Sequence, residues 1–337
     1  NDHLSIKILD YDVTSKDDKI GKVSIPFIQL KDYNPITISL NMITKTKTIT
    51  DAATTITLRL VYCGNFPITP ITKEVFLIRH GESKWNISQS EKNIKGMVTQ
   101  YDHELTLLGI QQAEIFNQKW KTALNSTDEN DLNDSNKFIS AEAIFASPLT
   151  RATQTALLTC ENHPVFENQN PGLTLLSGLR EAKNFGSFDT VGQYSGEQIQ
   201  EHIKELFLRD LGDERSLNLL KTTINPHDAY EQWWTALEVK ESKADVVKRM
   251  DNIWSFLRYG TNANTIILVG HSHYFRQMMQ EYLSPEYRQR EPEWTTLLNK
   301  SKLDNASGVR ITVTWNYNHL NDNNSNDDNN DNNNDNQ

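Results

Sequence analysis

Three short apolar segments of this chain lead into basic side chains or histidines. They are Val75–Ile78 before Arg79 and His80, Ala143–Ala146 before Arg151, and Thr265–Val269 before His271. Arginine presents a planar fork of N–H donors that matches phosphate, and imidazole adds further polar atoms. If the ends of these segments meet in the fold, they form an anion-binding pocket, and a phosphoryl group is its obvious occupant.

The elements that would position these side chains can be predicted from the apolar pattern. Short continuous apolar segments are typical of buried strands. Ser147 and Pro148 favour a helix that begins there and runs to about Thr159, and a second helix is predicted over Ser272–Tyr282. Strands that alternate with helices predict a three-layer α/β domain, in which strand ends and helix N-termini gather at one ligand site.

Further elements complete this expected domain. Helices are predicted over Thr106–Lys121 and Ala244–Tyr259, and a closing strand over Val309–Trp315. The polar, Asn/Asp-rich segment Asn125–Asn136 is interpreted as a surface insertion, and the segment Asp189–Val239 as much of a specificity lid.

Composition excludes several classes of function. The 337 residues carry a net charge of −10, which argues against a general nucleic-acid binder, because such proteins need a basic face. Two cysteines, Cys63 and Cys160, supply neither a disulfide framework nor a zinc cluster, which predicts a reducing, cytoplasmic location. His271 and His273 form a His-x-His pair without nearby Cys or carboxylate partners, so metal binding there is disfavoured. Residues 321–337 contain only Asn, Asp, Ser and Gln, and we expect them to be disordered.

Four sequence motifs carry a resemblance to a known family. FLIRHGESKWN, YDHELTLLGIQQA, AIFASPLTRATQTA and IILVGHSH resemble the histidine phosphatase superfamily, also called the phosphoglycerate mutase-like family, in order and in context. The resemblance extends from about Lys73 to Trp315. It implies a three-layer α/β/α fold, a phosphohistidine intermediate and catalysis that requires no metal.

The resemblance also implies roles for individual residues. His80 matches the nucleophile, Arg79 and Arg151 match the residues that clamp the phosphoryl oxygens, and His271 matches the second pocket histidine. Asn86 matches a position that contacts phosphate in the family.

The general acid should be a carboxylate between Arg151 and His271. Glu181, in SGLREAKNFGSF, is the best match, and Glu82, beside the nucleophile, is the rival. Near Glu181, Arg180 and Lys183 are either contacts for an anionic substrate or members of a solvated charged loop.

Three functions remain open at this point. A phosphomonoester hydrolase is favoured over a mutase, because LREAKNFGSFD departs from the longer glycine-containing motif of phosphoglycerate mutases. The expected partner is a small phosphorylated substrate. The third possibility is a non-catalytic scaffold that binds calcium or lipid, against which the intact set of pocket residues argues.

The first 63 residues alternate in the manner of strands and resemble the C-terminal half of a C2 domain. Asp10, Asp12 and Asp18 have the spacing of a C2 calcium loop, although calcium prefers six to eight oxygens and this loop offers fewer. The resemblance implies Ca²⁺ binding and recruitment to membrane phospholipid in a complete C2 domain, and an acidic turn without an ion is the alternative. The expected boundaries are 1–63 for the C2-like segment, 64–72 for a linker, 73–318 for the phosphatase domain and 319–337 for a disordered tail.

Overall fold

A computed structural model of the chain describes residues 3–9, 19–26, 36–41, 55–60, 70–98, 100–168, 172–183, 188–236 and 241–315. The chain divides into two units, Asn1–Thr69 and Pro70–Gln337. The predicted calcium ligands Asp10, Asp12 and Asp18 and the predicted tail lie outside the described residues.

One six-stranded sheet organises the second unit. Its strands are β5 (Ile71–Arg79), β6 (Ala143–Ala146), β7 (Leu173–Leu175), β8 (Ile224–Asn225), β9 (Thr265–Gly270) and β10 (Gly308–Trp315). Their order across the sheet is β10-β5-β9-β6-β7-β8. β10 pairs with β5 in antiparallel fashion, and the other neighbours are parallel. The sheet therefore brings the carboxyl ends of β5, β9 and β6 side by side.

Helices cover both faces of this mixed sheet. Successive strand residues point to opposite faces, so Phe76 and Ile78 join one hydrophobic cluster while Val75 and Leu77 join another. The helices are α1 (Lys84–Ser90), α2 (Ile94–Val98), α3 (Leu107–Ala123), α4 (Glu129–Ile139), α5 (Thr150–Thr159), α6 (Pro164–Glu167), α7 (Glu197–Leu211), α8 (Asp213–Leu219), α9 (Lys243–Ser255), α10 (Ser272–Tyr282), α11 (Pro285–Arg290) and α12 (Pro292–Lys300). Helices α3, α4, α5 and α7 pack on the first cluster, and α9 and α10 pack on the second. This arrangement is consistent with the expected phosphoglycerate mutase-like fold.

The structure corrects three details of the predicted elements. The α5 helix begins at Thr150 rather than at the Ser-Pro pair before it. Part of the segment interpreted as a polar insertion forms α4, whose N-terminus is capped by Asp128. The predicted linker 64–72 ends too late, because β5 already begins at Ile71.

The first unit contains two antiparallel strand pairs. They are β1 (His3–Leu9) with β2 (Lys19–Pro26), and β3 (Ile36–Asn41) with β4 (Thr55–Leu60). All four strands lie within the first 63 residues, which alternate in the manner of strands. Among the described residues of the whole chain, no helix is both long enough and apolar enough to cross a membrane.

Candidate active site

The ends of three adjacent strands bring the predicted pocket residues together. His80 follows β5, His271 follows β9 and Ser147 follows β6. The His80 N–H donates to the Gly270 carbonyl at 3.0 Å, and the Ser147 N–H donates to the Val269 carbonyl at 2.9 Å. The sheet pairing thus continues past the strand ends and fixes the backbone beneath the site.

The hydrogen bonds of His80 determine which of its ring nitrogens is unprotonated. Its Nδ1 lies 2.6 Å from the Gly81 carbonyl oxygen, which can only accept, so Nδ1 carries the proton of the neutral ring. Nε2 then holds a lone pair, to which Arg151 Nε donates at 3.3 Å. Burial first, and then the charges of Arg151 and Arg79, hold the pKa of His80 well below its usual range. The ring is therefore neutral near neutral pH, with its lone pair on Nε2.

Arg151 and Arg79 line the same cleft as His80, and each keeps a donor unused. Arg151 Nη2 donates to the Asp189 carbonyl at 2.9 Å, and Arg79 Nη1 donates to the Leu303 carbonyl at 2.6 Å. Arg151 Nη1 and Arg79 Nε are buried and find no hydrogen-bond partner within the described residues. Buried donors without partners are uncommon in folded proteins, and they fit a site that receives an oxyanion.

His271 lies beside His80, with the two ring centroids 5.1 Å apart, but it is fully buried and does not itself line the cleft that His80, Arg151 and Glu181 line. Its Nε2 is 2.9 Å from Ser147 Oγ, whereas its buried Nδ1 has no partner among the residues that the structure describes. Burial and then the charge of Arg151 hold the pKa of His271 well below its usual range. Ser147, expected to cap a helix, lies three residues before α5, and its Oγ contacts this histidine and also accepts from the Leu149 N–H at 3.3 Å.

Glu181 lies at the N-terminus of α10. Its Oε1 accepts from the Ala182 and Tyr274 N–H groups, both at 2.9 Å, and its Oε2 accepts from the His273 N–H at 3.3 Å. Burial raises the pKa of Glu181, although these backbone donors and Arg151 act in the opposite direction. A buried carboxyl with a raised pKa is suited to carry a proton toward a reacting group.

The structure separates the two carboxylates proposed for the general acid. Glu181 lines the cleft beside His80. Glu82 does not line it: its Oε1 accepts from Thr106 Oγ1 at 2.9 Å, at the N-cap of α3. Asn86 also lines the cleft, while its Oδ1 accepts from the Ser83 N–H and completes the capping box of α1.

Several residues in the cleft were missed from the sequence. In addition to Arg79, His80, Asn86, Arg151 and Glu181, the lining includes Trp85, Gln89, Asp189, Ser272, His273 and Lys302. Trp85, Gln89, Ser272 and His273 follow the same strand ends, which was the available signal. Within the described part of the expected lid, only Asp189 reaches this cleft.

Arg180 and Lys183, for which the sequence left two interpretations open, do not line the cleft. Arg180 Nη2 forms an ion pair with Glu241 Oε1 at 3.1 Å, with little exposure on either side. Lys183 Nζ donates to the Ala236 carbonyl at 2.5 Å. Both cations therefore bind groups of the protein itself.

A further buried carboxylate, Asp102, holds the N-terminus of α5. Its Oδ1 accepts from the Thr150 N–H at 2.7 Å, and its Oδ2 accepts from Thr150 Oγ1 at 2.9 Å. Burial raises the pKa of Asp102 to about 6. Because Arg151 is the next residue, Asp102 fixes the turn that presents this guanidinium.

Two glycines allow the loop after His80 to pack closely on α3. A Cβ atom at Gly81 would lie 2.5 Å from the Gly109 carbonyl oxygen, and one at Gly109 would overlap the Glu82 carbonyl oxygen. Gly81 N–H also donates to Thr155 Oγ1 at 3.0 Å. This close approach joins the His80 loop to α3 and α5.

Residues 75–218 match the model of the histidine phosphatase superfamily, branch 1. This match supports an enzyme of that superfamily. No curated protein matches the chain. Within the described residues, no group of three or more His, Cys, Asp or Glu side chains could hold a metal ion.

Similar solved structures come from several organisms. A mycobacterial glucosyl-3-phosphoglycerate phosphatase is 18% identical, covers 71% of this chain and 90% of its own, and has a TM-score of 0.36. A phosphoserine phosphatase of Entamoeba histolytica is 19% identical, with coverages of 72% and 94% and a TM-score of 0.35. A phosphoglycerate mutase of Bacillus anthracis is 18% identical, with coverages of 72% and 89% and a TM-score of 0.37.

Proposed function

We propose that this domain is a metal-independent phosphomonoester hydrolase that works through a phosphohistidine on His80. The observation that carries the proposal is a set of buried polar atoms without partners on Arg79, Arg151 and His271. Arg79 Nε, Arg151 Nη1 and His271 Nδ1 are all buried and have no partner within the described residues. Arg79 and Arg151 line the cleft, so a phosphoryl group bound beside Nε2 would give their unused donors an acceptor, which is electrostatic stabilisation by donors already in place. His271, fully buried beside His80, would add a donor if its Nδ1 carries the proton.

The first chemical step transfers the phosphoryl group to the protein. His80 Nε2 attacks phosphorus, a P–N bond forms and the P–O bond to the alcohol breaks. Arg151 Nε, which faces the Nε2 lone pair at 3.3 Å, turns to a phosphoryl oxygen as this bond forms. Protonated Glu181 gives its proton to the departing alcohol oxygen. Its Oε2 is the suitable oxygen, since it accepts only the longer N–H bond from His273.

The second step returns the protein to its starting state. Glu181, now a carboxylate, takes a proton from water as the water oxygen attacks phosphorus. The P–N bond breaks, inorganic phosphate leaves, and His80 regains its lone pair. The same carboxyl therefore serves first as acid and then as base, and neither step requires a metal ion.

Replacement of His80 by Ala tests the nucleophile. We expect release of phosphate from p-nitrophenyl phosphate to fall to background, while His202→Ala, a histidine outside the cleft, retains activity. Brief reaction of the wild type with radiolabelled phosphoester should also leave label on the protein that is stable in alkali and lost in acid, as a P–N bond requires. Unchanged turnover in His80→Ala would remove His80 as the nucleophile.

Hydrolysis is favoured over mutase chemistry because the segment after Arg180, EAKNFGSFD, departs from the mutase pattern. The proposed substrate is a small phosphomonoester. Incubation with 3-phosphoglycerate and 2,3-bisphosphoglycerate discriminates the two activities. Rapid formation of 2-phosphoglycerate would show a mutase, and an inert protein across a broad phosphoester panel would favour a scaffold.

For the first unit we propose, as a separate function, a C2-type element that binds Ca²⁺ and phospholipid when the domain is complete. Asp10, Asp12 and Asp18 fall between β1 and β2 in the sequence, and these two strands pair in antiparallel fashion. Sedimentation of a full-length protein with anionic liposomes, with and without Ca²⁺, tests the proposal. Equal sedimentation in both conditions would contradict it.

A further inference from the structure

The segment 178–183, which carries Glu181, is held by an arginine from another element. It follows β7 and begins within a short 3₁₀ turn, Ser177–Leu179. Arg249, on α9, donates from Nη1 to the Gly178 carbonyl and to the Arg180 carbonyl, both at 2.7 Å. These two bonds fix the backbone immediately before Glu181.

Glu241 binds Arg249 and also binds this segment after Glu181 in the sequence. Its two carboxylate oxygens accept from Arg249 Nε and Nη2, both at 3.1 Å, which makes the pair bidentate. Its Oε2 also accepts from the Lys183 N–H at 3.1 Å, and its Oε1 accepts from Arg180 Nη2 at 3.1 Å. One ion pair therefore binds the backbone on both sides of Glu181.

The same arginine also contacts the helix that Glu181 caps. The Arg249 guanidinium carbon lies 4.8 Å from the ring centroid of Tyr274, and the Tyr274 N–H donates to Glu181 Oε1 at 2.9 Å. Arg249 thus contacts both the segment that carries Glu181 and the first turn of α10. The side chains of Arg249 and Glu241 are only 9% and 6% exposed, so water competes weakly for these bonds.

We infer that Glu241 and Arg249 are positioning residues that hold the Glu181 carboxyl where it can reach the leaving-group oxygen. Neither side chain contacts the cleft, so the effect is carried through the backbone of segment 178–183 and the first turn of α10. Proton transfer requires hydrogen-bond distance, and a displacement of about 1 Å can cost about 100-fold in rate. A bidentate buried pair holds one geometry better than single surface contacts do. The inference rests on the proposed function, because it assumes that Glu181 is the acid.

A comparison of two substrates isolates the contribution of the general acid to the rate from the contributions of the other site residues. p-Nitrophenolate leaves without a proton, whereas the alcohol of glycerol 2-phosphate needs one. The measured quantity is the ratio of kcat/KM for the two phosphoesters, because kcat/KM includes no step after the P–O bond breaks. Loss of a general acid should lower kcat/KM for glycerol 2-phosphate by about 100-fold or more, with a much smaller effect on p-nitrophenyl phosphate.

The variants are Glu241→Gln and Arg249→Lys, with Glu181→Gln as the reference. Both positioning variants keep the side-chain volume, and Arg249→Lys keeps the charge. We expect each to shift the ratio about tenfold in the direction of Glu181→Gln. Glu114→Gln, which removes a surface ion pair with Arg215, should leave the ratio unchanged. Thermal unfolding of each variant verifies that the folded protein is assayed.

The outcomes distinguish the inference from the function on which it rests. If Glu181→Gln shifts the ratio and both positioning variants leave it within twofold of the wild type, Glu241 and Arg249 do not position the acid. If Glu181→Gln itself leaves the ratio unchanged, the acid role is wrong. Adding Arg249→Lys to Glu181→Gln should not change the ratio further, because no acid remains to be positioned. A multiplied effect in this double variant would mean that Arg249 acts by another route.

Discussion

The N-termini of α5 and α10 are built in the same way. Neither helix has a side-chain hydrogen bond from its own N-cap residue, Leu149 or His271. In each case a carboxylate from a distant part of the chain accepts the free N–H groups: Asp102 for α5 and Glu181 for α10. Both carboxylates are 4% exposed, and burial raises the pKa of both. Local chemistry alone would make either one a candidate acid.

Asp102 and Glu181 differ in their hydrogen-bond partners and in their access to the cleft. Both oxygens of Asp102 bind Thr150, and Asp102 does not line the cleft. Glu181 lines it and has one oxygen with only a single long backbone contact. A buried carboxyl with a raised pKa is therefore not sufficient evidence of a catalytic acid. Access to the reacting atoms distinguishes the two carboxyls, and we propose that Asp102 positions Arg151 and that Glu181 transfers the proton.

The largest expected effect is that of Arg151→Met, which tests what the α5 side contributes to the reaction. Arg151→Met removes from the α5 side the guanidinium that faces His80 Nε2. We expect kcat/KM to fall about 1,000-fold, comparable to the loss of a strong oxyanion donor. The fall should be equal for p-nitrophenyl phosphate and glycerol 2-phosphate, because phosphoryl charge develops with either leaving group. Steady-state kinetics on both substrates measure it.

Arg151→Lys is the matched control, since it keeps the charge without the fork of donors. We expect it to recover part of the activity. A loss in Arg151→Met confined to glycerol 2-phosphate would contradict the division of roles, because it would give the α5 side a part in proton transfer.

The sequence predicted β5, β6, β9 and β10 of the second unit, but it missed β7 and β8 and misplaced the start of α5. Val75–Ile78, Ala143–Ala146 and Thr265–Val269 are recognisable because their apolar residues are continuous, and all three lie within strands of the sheet. The start of α5 was misplaced, because Ser147 and Pro148 look like a local cap. The actual cap is Asp102, which is 48 residues away from Thr150 in the sequence. No local pattern contains that partner.

For the site as well, residues in local motifs could be predicted, and contacts between distant parts of the chain could not. The motifs placed Arg79, His80, Arg151 and His271 at strand ends, and the strand order brings those ends together. The importance of Ser147 for His271 depends on β6 and β9 being neighbours, which the order along the chain does not state. The Arg249–Glu241 pair could not be predicted either, since its effect passes through backbone contacts of segment 178–183.

Asp102→Asn tests, through the pH dependence of the free energy of unfolding, whether Asp102 is a buried cap that binds a proton. Burial raises the pKa of Asp102 from 3.8 to about 6, so the folded protein binds a proton that the unfolded chain has already released between these values. The wild type therefore loses stability as pH rises from about 4 to 6, by about 3 kcal/mol, and the Asn variant lacks this loss. Denaturant unfolding of both proteins at pH 4 and pH 7 measures the change in their difference. A difference that does not move with pH would mean that Asp102 is not a proton-binding cap.

The pH dependence of catalysis tests whether Glu181 acts as the general acid. Glu181 must be protonated to act as acid, and its pKa is raised by burial, so kcat/KM for glycerol 2-phosphate should decline as pH rises above that pKa. The decline approaches about tenfold per pH unit. The lowered pKa of His80 keeps its lone pair available well below pH 6.5.

Glu181→Gln should abolish this alkaline decline, and Asp102→Asn should keep it. An alkaline decline that persists in Glu181→Gln would have to come from another group in the cleft. One that disappears in Asp102→Asn would reverse the assignment of the two carboxyls.

The smallest expected effect concerns Ser147, which joins the two helix N-termini. It precedes α5, while its Oγ lies 2.9 Å from Nε2 of His271, the residue before α10. If the hydroxyl donates to Nε2, the proton of neutral His271 is on Nδ1, the buried nitrogen without a partner in the described residues. Ser147→Ala removes this bond, and we expect kcat/KM to fall about threefold to tenfold on both substrates, as for the loss of one neutral hydrogen bond. Ser147→Thr, which keeps a hydroxyl, should lie closer to the wild type. A loss of kcat/KM that depends on the leaving group would mean that the Ser147–His271 contact acts on Glu181 through α10. It would not then act on the phosphoryl group through His271.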